Sequence, residues 1–298
     1  MKQKWLIRIL LILLEAILIL YTVGGLITTP DSEGALVFFG IMVVVCGYCV
    51  YRSFVPRRPS RAMQEHIEKT YAAYLADVFP EDEKNRRALI CALFGFFTEE
   101  KPYAIRDRMD KLMPHAKTPR EVAILSFFAA RCATLDGKAE EGERLYLRSL
   151  EADASIAATH ANLGVLYQSK EDYARAEGCF KAALALDDEN AVKHNNLANL
   201  YVLMGRTEDA RREAKIALSK NDRMPEAYLV LALSYALDKN KSEANRYARK
   251  CIDLGMNEAQ LDRLVSALLR GDRSVLSPGE KEGVAKKGKK ARSMQMRK

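Results

Sequence analysis

Apolar and small residues recur every 34 positions between residues 123 and 258. The recurring sets are Leu163, Leu197 and Leu231; Gly164, Ala198 and Ala232; Tyr167, Tyr201 and Tyr235; Ala176, Ala210 and Ala244. Within each unit the apolar positions follow helical spacing in two segments, which a short polar stretch separates. A fixed period near 34 predicts an all-α solenoid of stacked helical hairpins, with units at 123–156, 157–190, 191–224 and 225–258.

The sizes of the recurring residues indicate how such a hairpin closes. Small residues at Gly164 and Ala176 let two antiparallel helices approach each other, and Tyr167 and Phe180 fill the space beside them. A lone hairpin cannot bury both of its apolar faces, so neighbouring hairpins must stack. We therefore expect a superhelix with a concave face.

Helices are also predicted on both sides of the repeats. Residues 63–122 read as helical hairpins interrupted by prolines, and Thr118 and Glu121 have the spacing of a helix-capping box. Residues 259–271 carry an apolar stripe at helical spacing, which predicts a capping helix for the solenoid. A partner-binding amphipathic helix is the alternative for this segment.

The first 55 residues are the most apolar part of the chain. Residues 5–27 and 35–51 are long enough for two membrane spans joined by a tight loop, followed by a basic linker at 56–62. A cleaved signal peptide fits less well, because the first apolar run is long and a second follows directly. Lysines and arginines flank the pair and are absent from its loop, which predicts that the N-terminus and the repeats are cytoplasmic. The short lysine-rich start and the compact anchor suggest the inner membrane of a bacterium.

Three residues of the first apolar segment are candidates for contacts between membrane helices. Glu15 lies near its centre, where an ionisable group costs at least about 2.5 kcal/mol. Gly24 and Thr28 form a small-xxx-small pair. Glu15 either fixes a partner within the membrane or is a tolerated, protonated side chain, and both interpretations stay open.

The net charge of +8 belongs to the two ends of the 298-residue chain. Residues 1–61 hold seven basic and three acidic side chains, residues 279–298 hold eight and two, and the remainder hold 32 and 34. The repeats are therefore close to neutral, which argues against a solenoid that binds nucleic acid.

The tail, residues 272–298, is predicted to be disordered because it is basic and has few large apolar residues. Its charge is concentrated in Lys286, Lys287, Lys289, Lys290 and Arg292. Attraction to anionic lipid, contact with RNA or ribosomes, and a purely solvating role are its three interpretations.

Few residues point to chemistry. Cys46 and Cys49 have CxxC spacing but lie in the second apolar segment without a second pair, so they are interpreted as small apolar side chains. His160 and His194 are 34 apart, which favours repeated packing positions over a metal pair. Phosphate-binding loops, metalloprotease motifs and nucleophile elbows are absent, so we predict neither catalysis nor a cofactor or metal.

The unit at 157–190 resembles the tetratricopeptide repeat. It carries Asn162-Leu163-Gly164-Val165-Leu166-Tyr167, then Ala176, Phe180 and Ala183. The resemblance implies a right-handed superhelix, a role in protein binding, and a concave groove lined by the first helix of each hairpin. By that resemblance the partner-binding residues are Asn162, Val165, Asn195, Asn196, Asn199, Leu229 and Leu233.

The groove differs from the variety of this family that clamps a terminal carboxylate. Ala161, Val165 and Glu226 stand where that clamp would need charged or amide side chains. The sequence thus predicts a membrane-anchored cytoplasmic scaffold that binds a partner protein or peptide on its concave face. The alternative is an assembly or regulatory factor whose basic tail binds RNA, ribosomes or anionic lipid.

Overall fold

A computed structural model describes residues 59–98 and 100–276. The chain divides into two compact units, Met1–Arg61 and Ala62–Lys298, and the helices below belong to the second unit apart from the first residue of α1. The predicted spans at 5–27 and 35–51, with Glu15, Gly24 and Thr28, lie outside the described residues, as do the five basic residues of the tail. Among the helices that the structure describes, none is both long and apolar enough to cross a membrane.

The described chain is all-helical. Before the repeats come α1 (Arg61–Thr70), α2 (Ala72–Leu75), α3 (Glu83–Phe97), α4 (Pro102–Leu112) and a 3₁₀ turn at Met113–His115. Eight helices of similar length follow: α5 (Pro119–Leu135), α6 (Ala139–Ala152), α7 (Ala157–Ser169), α8 (Tyr173–Leu186), α9 (Ala191–Met204), α10 (Thr207–Lys220), α11 (Pro225–Leu237) and α12 (Lys241–Asp253). Helix α13 (Glu258–Leu269) and a 3₁₀ turn at Ser274–Leu276 end the described part.

These eight helices form four antiparallel hairpins, α5–α6 through α11–α12. Each second helix packs against the first helix of the next hairpin, and the first helices of successive hairpins also touch. The result is a tetratricopeptide-like solenoid in which first helices form one layer and second helices the other. Helix α13 contacts both α11 and α12, as the first helix of a fifth hairpin would.

Close approach within the hairpin α7–α8 depends on Gly164. A Cβ atom at this position would lie 2.7 and 2.8 Å from two ring carbons of Phe180. Phe180 itself is 1 % exposed. In the next hairpin, α9–α10, the same two register positions hold Ala198 and Ala214, so alanine replaces both the glycine and the phenylalanine. The absence of a side chain at Gly164 therefore allows the Phe180 ring to pack directly against helix α7.

The turn inside each hairpin uses one backbone conformation at one register position. Gly137, Glu171, Gly205 and Lys239 are 34 apart, and their φ angles are 79°, 61°, 75° and 58°. Such left-handed angles suit glycine and strain other residues. Glycine stands at this position in the first and third hairpins, whereas Glu171 and Lys239 hold the same turn at some conformational cost.

Arginine–tyrosine contacts lie within hairpins, and a glutamate of the preceding hairpin joins one of them to its neighbour. The guanidinium of Arg175 lies 4.3 Å from the ring centroid of Tyr167, and Arg206 lies 4.3 Å from that of Tyr201. Glu177 of the preceding hairpin accepts hydrogen bonds from both the Tyr201 hydroxyl and Arg206, each at 3.1 Å. Cation–π and charge-assisted contacts thus repeat along the stack.

Glu121 joins the repeats to the segment before them. As the sequence predicts, Thr118 and Glu121 form a capping box at the start of α5. The buried Glu121 carboxylate also accepts hydrogen bonds from the backbone N–H groups of Lys117 at 2.6 Å and Phe79 at 3.0 Å. Burial alone would raise the pKa of Glu121, but these N–H donors together hold its pKa below the usual value.

Candidate functional site

Six outward residues of α7 and α9 form the central tract: Ala158, Asn162 and Val165 on α7, and Val192, Asn196 and Asn199 on α9. Each α7 position has its α9 counterpart 34 residues later, and the two helices touch, so the counterparts lie side by side. Val165 is 46 % exposed and Val192 is 53 % exposed. The other four are half-buried. Adjacent repeats therefore present aliphatic and amide side chains to solvent.

The amides of the tract are positioned by their own helices. Asn162 donates from Nδ2 to the Ala158 carbonyl at 2.8 Å, which orients its Oδ1 as the remaining acceptor. Within the described residues the half-buried side chain of Asn196 makes no hydrogen bond. An amide that both donates and accepts suits the alternating N–H and C=O groups of an extended backbone.

At the corresponding positions of α5, Ile124 and Phe128 are buried and Arg131 is half-buried. Phe128 occupies the register of Asn162 and Asn196, and it is fully buried. Its ring lies edge-on to Tyr71 at 5.5 Å and to Tyr74 at 5.7 Å, while Tyr74 also stacks on Phe127 at 5.6 Å. The segment before the repeats thus closes the first-helix face at one end.

At the corresponding positions of α11, Val230 and Leu233 are buried and Glu226 is half-buried. Leu233, in the register of Val165 and Asn199, is 2 % exposed, and Leu229 is half-buried. Helix α13 packs against α11. Leu233 therefore belongs to the core in this structure, and its assignment to a partner remains a prediction that would require movement.

Asn195 is also placed differently from the expected surface position. It is 9 % exposed, and within the described residues its buried Oδ1 has no hydrogen-bond partner. Leaving such an acceptor unpaired costs about 1–3 kcal/mol. Asn196 and Asn199, rather than Asn195, present the half-exposed amides of α9.

His160 and His194, the two histidines spaced by 34 residues, contact the loops that precede their helices. His160 Nε2 lies 3.0 Å from the Ala154 carbonyl, and His194 Nε2 lies 3.0 Å from the Asp188 carbonyl. His194 Nδ1 lies 2.9 Å from Glu213. The equivalent contacts explain the 34-residue spacing, and no group of three metal-ligating side chains occurs in the part of the chain that the structure describes.

The aromatic cover over α5 was missed by the sequence interpretation. A signal was present, because residues 71–97 contain Tyr71, Tyr74, Phe79, Phe94, Phe96 and Phe97. The target of these rings, however, lies some fifty residues away and follows only from the fold.

Comparisons with known proteins agree with this architecture. The family model for the tetratricopeptide repeat matches residues 157–190. The type IV pilus assembly protein PilF of Pseudomonas aeruginosa is 27 % identical over 143 residues, which cover 47 % of this chain and 56 % of that protein. The chain thus spans little more than half the length of this curated relative.

Solved structures share the fold. The structure of Pseudomonas aeruginosa PilF superposes with a TM-score of 0.53 at 17 % identity, over 65 % of this chain and 88 % of that one. MamA from Desulfovibrio magneticus RS-1, from residue 41 to its end, gives a TM-score of 0.50 at 12 % identity, over 58 % and 95 %. At these identities the likeness establishes the tetratricopeptide-repeat fold alone.

Proposed function

We propose that this protein is a non-catalytic scaffold that holds an extended segment of a partner protein on the central tract. The observation that supports this role is the pattern of exposure along the first helices. The middle register position is buried in α5 and α11, where it holds Phe128 and Val230, and is half-exposed in α7 and α9, where it holds asparagine. Exposed Val165 and Val192 can contact apolar side chains of a peptide, and the neighbouring amides can hydrogen-bond to its backbone.

The length of the tract limits what it holds. Packed helices lie about 8–10 Å apart, so two neighbouring helices offer roughly 20 Å across their axes. An extended chain covers that distance in about six residues. The partner therefore contributes a short linear segment through this tract.

We further propose that the scaffold works at a membrane. The apolar segments at 5–27 and 35–51 would form a two-helix anchor, with the repeats in the cytoplasm. PilF is named as an assembly protein, and we propose that this chain likewise assists assembly by holding a client. The basic tail would add attraction to anionic lipid.

The partner-binding proposal is tested by introducing a charge at one tract position. Protein is purified from native membranes in a mild detergent as wild type, Val165→Asp and Leu147→Asp. Leu147 is a matched control, since it is 41 % exposed but lies on the second helix α6. We expect a discrete set of co-purifying proteins that Val165→Asp loses and Leu147→Asp keeps. Equal sets from all three would contradict the tract as the binding site.

Two further measurements test the location and the tail. Alkaline carbonate should leave the full chain in membranes and release a chain without residues 1–55, whereas release of both would refute the anchor. Deletion of residues 279–298 should spare the co-purifying set. Ribosomal proteins or RNA that depend on the tail would favour the alternative function.

A further inference from the structure

The helices of the central tract carry almost no charge. Helices α7 and α9 together hold one Asp, Glu, Lys or Arg residue among 27, whereas the second helices α8 and α10 hold ten among 28. Second helices show the charge that solvent-facing helices normally have. The half-exposed tract residues face solvent as well, so exposure alone does not explain why charge is missing there.

The one charged side chain in these two helices is neutralised within the solenoid. Lys193 of α9 forms an ion pair with Asp187, and its side chain is 8 % exposed. His194, its neighbour, is 8 % exposed and contacts Glu213. Neither residue therefore offers a counter-ion to a ligand on the tract, and the charged side chains at its register positions, Arg131 of α5 and Glu226 of α11, lie outside it on the neighbouring first helices.

We propose, on the basis of the proposed function, that the tract selects an uncharged extended segment whose side chains alternate between small aliphatic and polar neutral types. A surface of valines and asparagines offers hydrogen bonds but no opposite charge, so it replaces only part of the hydration that a carboxylate or ammonium group loses on contact. It does satisfy backbone N–H and C=O groups through Asn162 and Asn196, and it buries small aliphatic side chains against Val165 and Val192.

This specificity separates the tract from other peptide-binding chemistries. Terminal carboxylates and phosphorylated segments require lysine or arginine at the contact. Basic segments require acidic side chains, and α7 and α9 contain none. A segment without charges is also one that associates readily with other copies of itself when unprotected. Holding it on the tract would keep it available for assembly.

The test uses the full-length protein in detergent and three synthetic peptides with a neutral fluorescent label and blocked ends. In the first peptide valine alternates with asparagine and threonine, and the others replace two central residues by aspartate or by lysine. We expect the neutral peptide to bind at least about tenfold more tightly than either charged analogue. Its Kd should stay constant between about 0.05 and 0.5 M salt.

A charge-reversal variant shows where the peptide binds. Asn196→Asp should weaken the neutral peptide and improve the lysine peptide, while Ser242→Asp, at an exposed position of α12, should leave the ranking unchanged. Equal or tighter binding of a charged analogue to the wild type would overturn the proposed specificity, as would binding of none of the three.

The two proposals fail in distinguishable ways. If a charged peptide binds best and Asn196→Asp alters that binding, the tract remains the binding site and only the class of occupant is wrong. If Val165→Asp leaves the co-purifying proteins unchanged, the proposed function itself is refuted, whatever the peptides do.

Discussion

Two glycines in one hairpin are expected to respond to alanine with opposite signs. Gly164 of α7 faces the Phe180 ring, and an alanine Cβ would lie 2.7, 2.8 and 3.2 Å from three ring carbons. Gly178 of α8 has no atom within 4 Å of the equivalent position. Both glycines are helical, so the difference between them is one of space rather than of backbone conformation.

The magnitudes follow from two opposing effects. Alanine gains about 1 kcal/mol over glycine in a helix interior. Forcing a methyl group into a filled core costs about 1–3 kcal/mol. Gly178→Ala should therefore stabilise the fold by about 0.5–1 kcal/mol. Gly164→Ala should destabilise it by up to about 2 kcal/mol, because the ring cannot move aside without disturbing the buried contacts around it.

Urea unfolding followed by circular dichroism measures both changes, with the m value checked because repeat proteins need not unfold in one step. A double-mutant cycle then isolates the ring. In a Phe180→Ala background Gly164→Ala should become stabilising by about 1 kcal/mol, since the pair then equals Ala198 and Ala214 of the next hairpin. Stabilisation by Gly164→Ala in both backgrounds would show that the ring does not limit the approach.

Three further substitutions test the turns, the junction before α5 and the buried amide. Lys239→Gly should raise stability by about 0.5–1 kcal/mol, because glycine adopts the φ of 58° without strain; an unchanged urea midpoint would contradict this. Glu121→Gln should cost about 1–3 kcal/mol at pH 7. The folded carboxylate has a lowered pKa, so its contribution is fully present above the unfolded pKa and is lost as pH falls through the folded value. The urea midpoints of wild type and variant should therefore approach each other as the pH falls below about 4.3, the ordinary pKa of glutamate. Asn195→Ala should stabilise the free protein by about 1 kcal/mol by removing an unpaired acceptor, and a clear loss of stability would show that its Oδ1 is satisfied in solution.

The hairpins were predictable because their signal is local and repeated. Leucine, small residue and tyrosine recur at the same spacing, and each occurrence reports the same contact between two helices. Helix α13 continues that register, with Val265 in the place of Leu231 and Leu269 in the place of Tyr235. Periodicity therefore predicts the order and packing of helices wherever the chain repeats itself.

The extent of the open tract was not predictable from the same periodicity. Phe128, Asn162, Asn196 and Val230 hold one register position, yet the two at the ends are buried and the two in the middle are half-exposed. The difference at α5 arises from Tyr71 and Tyr74, which belong to a segment without the repeat. Contacts between distant, non-repeated segments leave no periodic trace in the sequence.

The burial of Asn195 escaped prediction for a related reason. Neighbouring positions on a helix differ by about 100° in direction, so a small rotation of α9 decides whether Asn195 or Asn196 is the more exposed residue. A hydrophobicity pattern cannot predict which of two adjacent asparagines is buried, because both are equally polar. Only the packing of α9 between α7 and α11 does so.

A site-specific photo-crosslink in native membranes tests the central claim most directly. A benzophenone side chain is placed at Val192 on the central tract, or at Leu147 on α6 as the control with similar exposure. The account predicts discrete higher-mass adducts from Val192 that Leu147 does not give. Equal adducts from both positions, or adducts from Leu147 alone, would show that the partner does not bind on the tract.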